Sequence, residues 1–157
     1  MRSVSLTGLY QSLKGVRPVR IAHRGASGLY PENTLLAMRK ALALGADMIE
    51  FDLRLTRDGV PVLQHDAVID RNSTGKGEVG LYSLGELRKF NFSVRQGGPV
   101  YETLSVATFE EVLEEFHDRI AMNIQVYVAS EEGLRTICAL YRKYEMFDRG
   151  FLAVGHE

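Results

Sequence analysis

Four residues that could do chemistry sit where short apolar runs end or alternate with polar positions: His23, His65, Glu50 and Asp52. Histidine gives and takes a proton near neutral pH, so His23 and His65 on one rim could serve as a general acid and a general base. Glu50 and Asp52 alternate with apolar neighbours, which puts both carboxylates on one strand face, about 6–7 Å apart. Two carboxylates in a partly dry site repel, and one takes a proton unless a cation offsets them. Oxygen donors of this kind suit Mg²⁺ or Ca²⁺ better than zinc. The pair could equally be held by Arg24 and Arg54 as ion pairs, and the spacing leaves both arrangements open. Arg24, with its planar fork of donors, suits a phosphate oxygen.

These residues need elements to carry them. Residues 19–22 give a brief strand signal that ends at His23-Arg24-Gly25. Pro31-Glu32-Asn33-Thr34 opens a helix striped by Leu35, Met38 and Leu42 and closed by Gly45. Residues 48–55 read as a strand, with Ile49, Phe51, Leu53 and Leu55 on one face and Glu50, Asp52 and Arg54 on the other. The turn Asp58-Gly59 leads to a short strand at 60–64, which runs into His65-Asp66. Thr108 with Glu111 is a capping-box signature, and it opens a helix striped by Phe109, Val112, Leu113 and Phe116. A strand follows at 120–128, then a helix at 131–144 striped by Leu134, Ile137, Cys138 and Tyr141, then a last strand signal at 151–154. This alternation predicts an α/β fold with parallel strands and helical crossovers. Residues 67–106 interrupt it with a polar, glycine-rich stretch and a short helix at 83–90. Such an insertion belongs at strand C-termini, where ligand sites are built. One domain over residues 1–157, with a functional loop at 67–106, is the expected organisation.

Other features take plainer readings. Gly75-Lys76-Gly77-Glu78-Val79-Gly80 matches a GxGxxG string, but it follows polar residues rather than a strand, so a flexible glycine loop is expected instead of a dinucleotide site. Cys138 reads as a core residue. Glu110, Glu111, Glu114 and Glu115 read as a solvated helix face, and His117 and His156 have no partners visible in the sequence.

Composition narrows the class further. The 157 residues are 45% hydrophobic and 25% charged, the balance of a globular chain of about one domain. The net charge is −1, divided as +3 over residues 1–78 and −4 over 79–157, and no basic cluster suggests a nucleic-acid footprint. One cysteine makes neither an internal disulfide nor a zinc cluster. No apolar run is long enough for a transmembrane segment, and residues 1–13 lack a secretory apolar core, so a cytoplasmic location is the default expectation.

Over residues 18–157 the chain resembles the glycerophosphodiester phosphodiesterases. The resemblance is carried by His23-Arg24-Gly25, Pro31-Glu32-Asn33-Thr34, Gly45-Ala46-Asp47-Met48-Ile49-Glu50-Phe51-Asp52, Thr56-Arg57-Asp58-Gly59, His65-Asp66, and the loop Asp70-Arg71-Asn72-Ser73-Thr74-Gly75-Lys76-Gly77. It implies a TIM (β/α)₈-barrel and metal-dependent hydrolysis of glycerophosphodiesters to glycerol 3-phosphate and an alcohol. His23 and His65 would then be the acid–base pair, Arg24 a phosphate contact, and Glu50 and Asp52 metal ligands. Where the family's strand carries Asn-Ile-Glu-Ile-Lys, this chain reads Asn123-Ile124-Gln125-Val126-Tyr127. Gln125 offers a neutral oxygen in place of the third carboxylate, and Tyr127 removes a cation from the phosphate. The second departure is length, since a TIM barrel takes ~250 residues and eight strands and the pattern here supplies five strand signals. The open barrel would be covered by a second copy or a complementing chain, belong to a fragment, or re-pair into a smaller sheet. An impaired or inactive relative that binds a phosphodiester or a partner is the alternative function.

Overall fold

The computed structural model describes residues 5–13, 16–94 and 103–154. His156, residues 1–4 of the N-terminal stretch and residues 95–102 of the 67–106 insertion lie outside them. A helix not expected from the pattern, α1 (Leu6–Leu13), precedes the first strand, β1 (Ile21–His23). There follow α2 (Leu35–Ala43), β2 (Met48–Leu55), β3 (Pro61–Leu63), α3 (Leu84–Leu87), α4 (Phe109–Phe116), β4 (Ala121–Val126), α5 (Glu131–Lys143) and β5 (Gly150–Val154). The fold is α/β. Strands β1, β2, β4 and β5 lie side by side in that order and all run parallel, joined by helices in the manner of a TIM barrel.

The expected run of five barrel strands needs one correction. β3 pairs antiparallel with β2, Leu53 opposite Leu63 and Leu55 opposite Pro61. Only residues 56–60 connect the two, and a parallel crossover needs a dozen residues or more. The hairpin closes because Gly59 takes φ 78°, Thr56 N–H donates to the Val60 carbonyl, and Val60 N–H donates to the Thr56 hydroxyl. The described residues therefore hold four parallel strands and one return strand.

Helix starts follow the chemistry read from the sequence. Thr34 caps α2 through the Ala37 N–H, and both reciprocal bonds of the Thr108–Glu111 capping box are made. On β2, Ile49, Phe51 and Leu53 are fully buried against Phe109, Leu113 and Phe116 of α4 and Ile137 of α5. A smaller apolar cluster of Val62, Ile69, Val79, Leu87, Phe92 and Val106 anchors the insertion. Gly75 belongs to that packing and is no flexible linker: a Cβ there would lie 2.6 Å from Ile69 and 2.7 Å from Phe90. Cys138 is exposed rather than core. The buried arc of α5 centres on Gly133, Ile137 and Tyr141, and position 138 falls about 100° around the helix from 137. The acidic face of α4 is paired as well as solvated, with Glu110 meeting Lys143, Glu111 meeting Arg88 and Glu115 meeting Arg39. His117 lies 2.8 Å from the Leu113 carbonyl and edge-on to Tyr144, a helix-end contact. Among the described residues no helix is long and apolar enough to cross a membrane.

Candidate active site

The register on β2 explains why two distant histidines meet. β1 and β4 both pair with residues 48–50 and so flank β2 on opposite sides, while Leu53 pairs at once with Val126 of β4 and Leu63 of β3. β1 and β3 therefore occupy the same side of β2, end to end. β1 runs up to His23 opposite Glu50, and β3 runs down until Gln64 N–H reaches the Asp52 carbonyl at 3.1 Å. His23 and His65 thus arrive from opposite directions at the stretch of β2 that carries Glu50 and Asp52. On the other side of β2, Asn123 lies opposite Glu50 and Gln125 opposite Asp52.

Both carboxylates are buried, Glu50 at 6% exposure and Asp52 at 1%. Glu50 accepts the Arg24 N–H at 2.8 Å, and its Oε2 lies 3.8 Å from His23 Nε2. Burial pushes the Glu50 carboxyl above the ordinary carboxylate range; the Arg24 N–H opposes this and the Asp52 charge adds to it. Asp52 accepts from Asn33 Nδ2 at 2.9 Å and faces Arg24 Nε at 3.3 Å. Arg24 itself sits at φ 56°, followed by Gly25 at φ 78°. This double left-handed turn aims the Arg24 N–H at Glu50 and is the kind of backbone strain that gathers at functional sites. Of the two arginines weighed against a metal, Arg24 does contact the carboxylates. Arg54 instead donates to the His65 carbonyl at 2.8 Å and lies over the Tyr127 ring, 4.9 Å from its centroid.

His65 Nδ1 lies 2.7 Å from Asp66 Oδ1. The Arg71 guanidinium, helped by His65, holds Asp66 down to about 2 against its partial burial. An ionised carboxylate only accepts, so Nδ1 carries the hydrogen, and in the neutral ring Nε2 is left as an acceptor. Tyr127 packs edge-on to the His65 ring at 5.7 Å. Gln64, fully buried, exchanges hydrogen bonds with Asn72 at 2.8 and 3.1 Å, which ties the loop back onto β3 beside His65.

The structure sets His23 and Arg24 against Glu50 and Asp52, and places Gln125 on, and His65 just past, the strands that flank the same stretch of β2. Sequence reasoning missed the supporting shell of Glu32, Asn33, Gln64, Asp66, Arg71 and Asn72. Five of these lie within the motif strings quoted for the family resemblance, which was the available signal. Among the described residues no three His, Cys, Asp or Glu side chains form a metal cage. Two buried carboxylates remain, with the Gln125 amide, whose nitrogen donates to Asn123 at 3.3 Å, across from them. That set of oxygens, two carboxylates with the Arg24 guanidinium against one of them, offers the hard donors a divalent cation takes.

The profile of the Glycerophosphoryl diester phosphodiesterase family matches residues 23–153. A glycerophosphodiester phosphodiesterase of Caldanaerobacter subterraneus subsp. tengcongensis is 39% identical over 107 residues, covering 68% of this chain and 44% of its own length. The crystal structure of glycerophosphodiester phosphodiesterase from Agrobacterium tumefaciens superposes with a TM-score of 0.80 at 28% identity, over 89% of this chain and 59% of that one. A phosphodiesterase of Oleispira antarctica, in complex with the product sn-glycerol-3-phosphate, gives a TM-score of 0.79 at 27% identity over 87% and 57%. The chain spans less than half the length of that curated relative. A profile match running from His23 to Ala153 of β5, on a fold shared with these structures, makes the chain a member of the glycerophosphoryl diester phosphodiesterase family.

Proposed function

We propose that this chain carries the site of a metal-dependent phosphodiesterase that hydrolyses glycerophosphodiesters to glycerol 3-phosphate and an alcohol. The observation that carries the reading is the delivery of His23 and His65 to one side of β2, beside two buried carboxylates. The solved relative in complex with sn-glycerol-3-phosphate supports the substrate class.

Cleavage needs a proton taken from water as its oxygen attacks phosphorus, and a proton given to the alcohol as the P–O bond breaks. His65, with Nδ1–H on Asp66 and Nε2 open to the site, takes the first. His23, beside the Glu50 carboxylate, gives the second. Arg24 meets the phosphate with its guanidinium. Glu50, Asp52 and the Gln125 carbonyl oxygen would hold Mg²⁺ or Ca²⁺, which when bound offsets charge on the phosphate oxygens. The two outer sheet edges, with Ile21 and Phe151 exposed, are where a second copy or a complementing chain would add strands.

The decisive assay is release of glycerol 3-phosphate from glycerophosphocholine by the purified chain, with and without Mg²⁺ or Ca²⁺. Metal-stimulated release is the expected result. No release with either ion from folded protein favours the second reading, a phosphodiester-binding or assembly module. That reading is favoured by the neutral Gln125 and by Tyr127, which lies under Arg54 at the end of the same strand face.

A further prediction follows at position 125. Gln125→Glu is expected to tighten divalent-cation binding on the order of tenfold, because ligand charge count sets the affinity of such sites. Calorimetric titration with Mg²⁺ and Ca²⁺ reads it directly, and an unchanged affinity removes residue 125 from the ligand set.

A further inference from the structure

Two loops that carry different parts of the site are joined by a single side chain. Arg71, on the loop after β3, donates from Nε to Asp66 Oδ2 at 2.7 Å. Its terminal nitrogens donate to both oxygens of Glu32, at 2.8 and 2.7 Å, on the loop between β1 and α2. Each carboxylate then passes the contact on. The other oxygen of Asp66 meets His65 Nδ1, and Glu32 Oε1 also accepts from Arg24 Nη1 at 3.0 Å. An unbroken line of hydrogen bonds runs from His65 through Asp66, Arg71 and Glu32 to Arg24, the last four alternating in charge.

We infer that Arg71 is a positioning residue that fixes the His65 ring through Asp66 and the Arg24 guanidinium through Glu32. An aspartate bonded only to histidine can turn about its terminal torsion, which is broad. With its second oxygen pinned by Arg71 Nε, the first is held at Nδ1 and selects one histidine tautomer. Glu32 is in a similar position: its burial works against its charge, and the bonds from Arg71 and Arg24 together bring its pKa below the ordinary value. Three bonds in two directions need the planar fork of a guanidinium, so a lysine at 71 would keep the charge and lose the arrangement.

The inference rests on the proposed function only for what His65 and Arg24 do, so its test reads their state rather than turnover. In ¹⁵N-labelled protein above the imidazole titration range, at about pH 8, His65 is expected to show a single Nδ1–H tautomer in long-range correlation spectra. Arg24 Nε–H is expected to exchange slowly. Arg71→Gln should convert His65 to a mixture of tautomers and speed Arg24 Nε–H exchange at least tenfold. Arg71→Lys, which keeps the charge if the glutamine variant folds poorly, should do the same. Arg39→Gln removes an equally short two-bond pair with Glu115 on the surface and should leave both signals as in the parent. His65 remaining wholly Nδ1–H in both Arg71 variants, or an equal change in Arg39→Gln, overturns the inference. Failure of the parent chain to release glycerol 3-phosphate would remove the proposed function and leave this result standing.

Discussion

Replacing His23 with alanine is expected to lower glycerol 3-phosphate release by about 10²–10⁴-fold, the usual contribution of a general acid or base. The folded chain should be little affected. The His23 side chain is 67% exposed, and its approach to Glu50 is at 3.8 Å. Surface substitutions of this kind cost within about 0.5 kcal/mol. The bond from the Ser27 hydroxyl to the His23 carbonyl belongs to the backbone and survives the change. Activity and thermal melting measured on one preparation separate the two effects. A turnover number unchanged in His23→Ala would take His23 out of the proton transfer.

Gly25→Ala is expected to have the largest effect on stability near the site. Gly25 has φ 78°, and an added Cβ would sit 2.8 Å from both the carbonyl carbon and the Cβ of Ala37. The left-handed backbone costs a residue with a Cβ about 1–2 kcal/mol. Overpacking against helix backbone adds about 1–3 kcal/mol, so a total of about 2–5 kcal/mol is expected by urea denaturation. The atoms involved belong to α2, whose Ala37 carbonyl accepts the Ala26 N–H at 3.0 Å, and they have little room to move. Any relaxation therefore shifts the loop that carries His23 and Arg24, and activity should fall with stability. Gly28→Ala serves as the control, since a Cβ there meets nothing within 4 Å and its φ is ordinary. A Gly25→Ala midpoint equal to that of Gly28→Ala would contradict the close packing of this loop on α2.

Much of this arrangement was legible in the sequence where the signal was local. The stretch 48–55 alternates cleanly, and β2 spans those residues with Glu50 and Asp52 on a common face. Thr108 and Glu111 stand three apart, and their capping box forms as read. The direction of β3 was also available, because residues 56–60 cannot bridge parallel strands, but apolar alternation alone carries no direction. Cys138 misled because it sits at the edge of an apolar stripe, where one step around the helix changes buried to exposed. The Arg71 network was invisible for another reason. Glu32 and Arg71 lie far apart in sequence, and each looks like an ordinary surface charge until the β2–β3 hairpin folds their loops together. The helix over 6–13 carries a local start signal in Ser5, whose hydroxyl accepts the Gly8 N–H.

The hairpin also divides the site by the cost of loop closure. Glu50, Asp52 and His65 lie along one local supersecondary unit, whose closure spans few residues, whereas Gln125 joins only when β4 docks from far along the chain. Closure entropy grows with the logarithm of loop length, so the hairpin is the cheaper portion to assemble and β4 the dearer. Positions 125 and 127 therefore reach the site from the strand that joins it at the greater closure cost. Residues 125 and 127, where this chain departs from Asn-Ile-Glu-Ile-Lys, both lie on that costlier side, while Met122, Ile124 and Val126 on the opposite face of β4 pack in the main core.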